Sequence, residues 1–95
     1  MRTSDTLTIR QRRVLYRAWH RGIREMDLIL GRFADAKIAQ FDEAALDEFE
    51  QFMELPDKEL FAWISGAVPV PTNQDTPLYR AVVQFHSAQS DTPAQ

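Results

Sequence analysis

The side chains best suited to proton transfer in this chain of 95 residues are two histidines, His20 and His86, and they stand near opposite ends of it. A nucleophilic hydroxyl needs a base beside it and a third group to orient that base. No local arrangement supplies the set, and each histidine reads as a polar residue on a helix. The chain has no cysteine, which removes disulfides, zinc ribbons and thiol catalysis together and fits a reducing compartment. The acids between positions 42 and 59 lack the alternating oxygen ligands and central glycine of a calcium loop, so they read as a solvated helix face. Gly22, Gly31 and Gly66 are isolated from one another and build no phosphate-binding loop. With no acid–base pair and no cofactor motif, the chain is not expected to be an enzyme.

One cluster remains: Arg21-Gly22-Ile23-Arg24-Glu25-Met26-Asp27. It admits two readings. In the first it is a helix end followed by a helix start, with Gly22 as a left-handed cap, Arg21 favoured by the preceding dipole, and Glu25 and Asp27 favoured by the next. In the second it is a docking point: a glycine lets a partner surface approach the backbone closely, and Arg21 and Glu25 offer opposite charges for oriented pairing.

Either reading needs helices to position the corner. Thr8 and Gln11 have capping-box spacing, and Leu15, Ala18 and Trp19 recur at helical intervals, which predicts a first helix over about 9–21. Met26, Ile29, Leu30 and Phe33 form the stripe of a second helix from near Ile23 to about Gln40, with Gly31 costing about 1 kcal/mol inside it. Asp42 caps a third helix with Leu46, Phe49, Phe52 and Met53 inward and Phe41 placed to staple Leu46, and Pro56 closes it. Asp57 is placed to cap a short fourth helix carrying Leu60, Phe61, Trp63 and Ile64 into the core, stopped by Gly66. Residues 66–75 read as an extended connection. Thr76 before Pro77 then starts a fifth helix with Leu78, Val82 and Phe85 inward. No strand-period run or internal repeat interrupts this series. The expected fold is all-α: a small single-domain bundle of five helices over 8–89, between flexible tails at 1–7 and 90–95. Trp19, Phe33, Phe49, Phe52, Phe61, Trp63 and Phe85 nearly all fall on core stripes.

Charge is segregated along the chain. Residues 1–32 hold eight arginines against three acids, a balance of +5, whereas residues 33–95 hold three bases against eleven acids, a balance of −8. A basic end suits nucleic acid, an anionic membrane or an acidic protein partner. The acidic third helix would repel phosphate if it served as a recognition helix, which argues against nucleic acid. No apolar run approaches the ~20 residues a membrane span needs, and the first residues lack the apolar core of a secretion signal.

At the corner the chain resembles the succinate dehydrogenase flavinylation factors, the SdhE or succinate dehydrogenase assembly factor family, through Arg21-Gly22-Ile23-Arg24-Glu25, which matches the family's Arg-Gly-x-x-Glu. The likeness continues through Met26-Asp27, Phe33, the acid-rich third helix and Asp57-Lys58-Glu59-Leu60-Phe61-Ala62-Trp63, covering roughly residues 10–88. The resemblance implies a non-enzymatic assembly factor that binds the flavoprotein subunit of succinate dehydrogenase, in some bacteria that of fumarate reductase, and promotes covalent attachment of FAD to a histidine of that subunit. It implies Arg21, Gly22 and Glu25 as partner contacts, with Ile23, Arg24 and Asp27 beside them, and assigns Leu60, Phe61 and Trp63 to the core. No cofactor or metal is assigned to the chain itself; FAD is joined to the partner. The expected state is a monomer without membrane insertion or nucleic-acid binding, in a bacterial cytoplasm, or in the mitochondrial matrix if eukaryotic. The alternative is a general protein–protein interaction module of antitoxin-like or regulatory type.

Overall fold

The computed structural model describes residues 6–90. Five helices follow in order: α1 (Ile9–Trp19), α2 (Arg24–Lys37), α3 (Glu43–Met53), α4 (Asp57–Ile64) and α5 (Pro77–Ser90), with 3₁₀ turns at Ile38–Gln40 and Thr72–Gln74. Among the described residues there is no strand, and the all-α bundle expected from the sequence is the fold.

Local chemistry sets most boundaries. The Thr8 hydroxyl accepts from the Gln11 amide at 3.0 Å, and Gln11 Oε1 accepts from the Thr8 amide at 2.9 Å, a closed capping box. Asp42 accepts from Ala45 N–H at 2.9 Å, and Thr76 Oγ1 accepts from Tyr79 N–H at 3.1 Å, with Pro77 as the first residue of α5. Gly66 lies one residue beyond the Ser65 cap of α4 with φ +86°, a backbone state glycine adopts without steric cost. Two expectations shift. The last turn of the long second helix tightens into the 3₁₀ turn at Ile38–Gln40, and α1 ends at Trp19 rather than Arg21.

α2 lies at the centre of the bundle, in contact with α1, α4 and α5. Its Met26, Leu30, Phe33 and Ala34 are almost wholly buried, and Gly31 faces α1. A Cβ at Gly31 would stand 2.6 Å from Cε2 of Trp19, so the indole occupies the space a side chain would need. The mid-helix glycine is there for close approach between α1 and α2. Phe33 joins the rest of the core through an aromatic group: its ring centroid is 5.9 Å from those of Phe49 and Phe85, and Phe41 meets Phe49 edge-on at 5.7 Å.

Several core assignments change. The buried stripe of α1 is Gln11, Val14 and Ala18, with Leu15 and Trp19 half-buried. Gln11 is tolerated because its amide nitrogen donates to Phe41 O at 3.3 Å while its oxygen serves the cap. Tyr79 joins Val82 as a buried residue of α5. On α4 the buried pair is Leu60 and Ile64, four residues apart; Phe61, one position round the helix, is 38% exposed and is not a core residue. Trp63 packs half-buried against the core. Leu7, expected in the leading tail, is only 6% exposed and belongs to the core, and α5 runs to Ser90. Residues 1–5 and 91–95 of the two expected tails lie outside the described residues.

Candidate functional site

The corner between α1 and α2 is built by two carboxylates that reach it from different directions. Helix α1 stops at Trp19, and its cap residue His20 donates its amide to Arg17 O at 3.3 Å. The His20 ring stacks on Tyr16 at 3.8 Å, and its Nδ1 lies 2.7 Å from Tyr16 O. The chain then reverses. Asp27, on the first turn of α2, reaches back so that its Oδ1 accepts from the Arg21 amide at 2.5 Å. The Arg21 side chain turns inward: Nε and Nη2 donate to Asp57 Oδ1 at 2.8 and 2.7 Å, and Nη2 also donates to Leu55 O at 3.2 Å. Arg21 and Asp57 keep only 10% and 14% of their side-chain surface, so the pair pins the corner to the junction of α3 and α4.

This arrangement revises two expectations. Asp57 does not cap α4. The cap position is Pro56, with no side-chain hydrogen bond, because the Asp57 carboxylate is committed to Arg21. And Arg21 does not present its charge beside Glu25 for pairing with a partner, since that charge is met within the molecule.

What faces outward is Gly22, Ile23, Arg24 and Glu25, all exposed. Gly22 has φ +101°, and a Cβ built on it would meet nothing within 4 Å. It lies two residues past the His20 cap, so its conformation serves the reversal of the chain rather than the helix cap itself. Ile23 is the cap residue of α2 and offers no side-chain acceptor to the first-turn amides. Glu25 lines an open cavity of about 300 Å³ between α2, α4 and α5, together with Ile29, Arg32, Phe61, Phe85 and His86. The exposure of Phe61 is therefore toward this cavity. The six residues singled out from sequence thus divide by geometry: Arg21 and Asp27 frame the corner, and Gly22, Ile23, Arg24 and Glu25 are its surface.

The segregated charges of the sequence also meet in space. Arg10 donates to Glu43, to Asp47 at 2.6 Å and to Glu50 at 2.8 Å. Its hydrogen bonds to the carboxylates of Asp47, Glu50 and Glu43 hold the guanidinium well above the ordinary range, so it stays charged at any working pH. Arg17 pairs with Glu54 at 3.1 Å and approaches Glu50 at 3.9 Å. The acids of α3 are thus partly a clamp on α1 rather than only a solvated face. Neither this clamp nor the Arg21–Asp57 pair was visible as a motif, because the partners lie more than thirty residues apart. No described helix is long and apolar enough to cross a membrane.

Residues 12–86 match the family model described as the flavinator of succinate dehydrogenase, a span that runs from the first turn of α1 into α5 and includes the whole corner. The chain is 38% identical over 80 residues to the FAD assembly factor SdhE of Acetobacter pasteurianus, covering 84% of this chain and 73% of that protein. It is 39% identical over 73 residues to succinate dehydrogenase assembly factor 2, mitochondrial, of Scheffersomyces stipitis, covering 74% of this chain and 49% of that one. The Dictyostelium discoideum protein of the same description is 33% identical over 76 residues, 80% of this chain and 53% of that one. The chain thus spans about half the length of these mitochondrial relatives. No solved structure matches the chain closely enough to stand as a relative.

Proposed function

We propose that this chain, which belongs to the family of succinate dehydrogenase flavinators, is an assembly factor that binds the flavoprotein subunit of succinate dehydrogenase and promotes covalent attachment of FAD to it. The observation that carries this reading is a family match over residues 12–86 that includes the corner, where four exposed residues sit on a frame of partly buried hydrogen bonds. A binding surface works best when its geometry is paid for before the encounter, and the Asp27 and Asp57 contacts do that for Gly22, Ile23, Arg24 and Glu25.

In this reading the chain is not a catalyst in its own right and holds no cofactor. FAD is bound by the partner, which also supplies the histidine to which it is joined. The assembly factor binds best to the arrangement of the flavoprotein in which histidine and flavin are in position, which raises the population of that arrangement. A tenfold preference for it corresponds to about 1.4 kcal/mol of differential binding, within reach of a small interface. The acceptor can be the flavoprotein of fumarate reductase as well. The chain acts as a monomer, in a bacterial cytoplasm or, for a eukaryotic source, the mitochondrial matrix.

The test is covalent flavin fluorescence of the flavoprotein after denaturing electrophoresis, from cells with the gene deleted, restored, or restored as Gly22→Arg. Loss on deletion, recovery with the native chain and no recovery with Gly22→Arg are expected. Gly22 tolerates no L-residue at φ +101° without strain, and a Cβ there meets nothing within 4 Å, so the added side chain starts out toward open space where a partner would meet it. An unchanged signal in all three strains would remove the flavinylation role and leave a general interaction module.

A further inference from the structure

We infer that the outer face of α1 is a second docking surface, basic with two apolar anchors, that seats on an acidic patch of the same flavoprotein that receives the corner. The inference rests on the docking reading given above and extends it along the helix.

Ile9, Arg12, Arg13, Tyr16 and His20 are spaced by three, four and seven residues and therefore share one side of α1 and its cap. The opposite side, Gln11, Val14 and Ala18, is buried against the bundle. Ile9 and Tyr16 are 66% and 64% exposed, the two most exposed large hydrophobic residues of the described chain. Ile23, 39% exposed, follows at the corner, so three of the five such residues lie on α1 or directly after it. The Tyr16 ring is already stacked on His20 at 3.8 Å, so an amphipathic aromatic is held in place at little further entropic cost.

The charges point the same way. Arg10 and Arg17 flank this face and are consumed by Glu43, Asp47, Glu50 and Glu54 of α3 and its end. Arg12, Arg13 and, at the corner, Arg24 are exposed and take part in no ion pair among the described residues. Three uncompensated guanidinium groups beside exposed Ile, Tyr and Ile are the composition of a protein-binding patch, in which Tyr and Arg supply the anchors. A phosphate backbone or an anionic bilayer is a poorer fit. The α3 carboxylates stand against the same helix, where Glu43, Asp47, Glu50 and Glu54 outnumber Arg10 and Arg17, so an extended polyanion laid along α1 would meet a net negative flank. A compact acidic patch on a protein avoids them.

The experiment follows association of the purified chain with the purified flavoprotein at low and at high salt, for the native chain, Arg12→Glu/Arg13→Glu, Ile9→Ser/Tyr16→Ser and Gly22→Arg. Glutamate near the start of α1 is favoured by the helix dipole, so the charge reversal should fold, and circular dichroism checks it. The expected result is an association rate about tenfold lower or more for the charge reversal at low salt, converging toward the native rate at high salt, and faster dissociation for the apolar double variant. Native rates for both double variants, with Gly22→Arg still inactive, would overturn the α1 surface and leave the corner standing. Failure of the native chain to bind the flavoprotein would overturn both. Retention of the native chain on acidic vesicles or duplex DNA that the charge reversal abolishes, with flavoprotein association unchanged, would assign the face to lipid or nucleic acid and overturn the inference.

Discussion

Removing the charge of Asp57 should damage partner binding as much as removing that of Arg21, although Asp57 lies 36 positions away and on another helix. Arg21 spends Nε and Nη2 on Asp57 and Leu55 and keeps 10% of its side-chain surface. Asp57→Asn keeps the shape but replaces a charge-assisted pair with a neutral acceptor, at a cost of about 1.5–3 kcal/mol. Arg21→Gln leaves the Asp57 carboxylate nearly buried without its cation, and the cost rises to about 3–5 kcal/mol. A domain of 95 residues holds roughly 5–14 kcal/mol in all, so Asp57→Asn keeps a folded margin throughout that range, whereas Arg21→Gln keeps one only where the native stability exceeds about 5 kcal/mol. Each melts lower by roughly 4–8 °C per kcal/mol lost. The double variant should be less harmful than the sum, with a coupling of about 1–3 kcal/mol. Covalent flavin fluorescence, measured below the melting point of every variant, then reads the corner. If Arg21 acts by holding the turn, Asp57→Asn and Arg21→Gln lose flavinylation support together. Full support from Asp57→Asn with none from Arg21→Gln would refute the framing role and return Arg21 to direct contact.

Gly31→Ala should destabilise despite removing a mid-helix glycine. The gain in helix propensity is about 1 kcal/mol, the overlap with Trp19 costs about 1–3 kcal/mol, and urea unfolding with a shifted Trp19 emission should show the net loss. Asp75 is held below its ordinary value of 3.8 by the hydrogen bond from Arg80. Its contribution is therefore present above that pH and fades as pH falls through the lower folded value, so native and Asp75→Asn melting curves should differ slightly near neutral pH and converge in acid.

Features whose causes are local could be read from the sequence. Thr8 with Gln11, Asp42, and Thr76 with Pro77 each mark a helix start within four residues, and each appears where the spacing placed it. Met26, Leu30, Phe33, Leu46 and Phe49 were legible because period 3.6 alone orients them. Asp57 was misassigned because it also satisfies the local rule for a cap; a buried arginine outcompetes a cap that is worth only about 1 kcal/mol. Phe61 looked like core by type, yet the α4 stripe has room for Leu60 and Ile64, and an eight-residue helix buries one narrow face. The role of Gly31 needed the position of Trp19, and the clamp on Arg10 needed the packing of α3 on α1.

Arg21 and Glu25 stand four apart and of opposite charge, which invites reading them as a helical ion pair, but the geometry forbids it. Arg21 precedes the Ile23 cap and lies outside α2, whereas Glu25 is its second residue, so the i,i+4 rule has no helix to act on. One side chain goes inward to Asp57, and the other is exposed and lines the cavity that Phe61 and Phe85 also line. The two residues should therefore fail in opposite ways. Glu25→Gln removes a charge that no side chain of the described residues meets in an ion pair, and the stability cost is the lost dipole interaction, about 0.3–1 kcal/mol. Its melting temperature should stay within a few degrees of native by the same size scaling, while affinity for the flavoprotein falls about tenfold or more if a cation of the partner sits against it. Differential scanning calorimetry and titration calorimetry on the same sample separate the two quantities. A variant that melts far below native and binds weakly would place Glu25 in the frame with Arg21, and one that melts and binds as the native chain does would remove Glu25 from the docking surface.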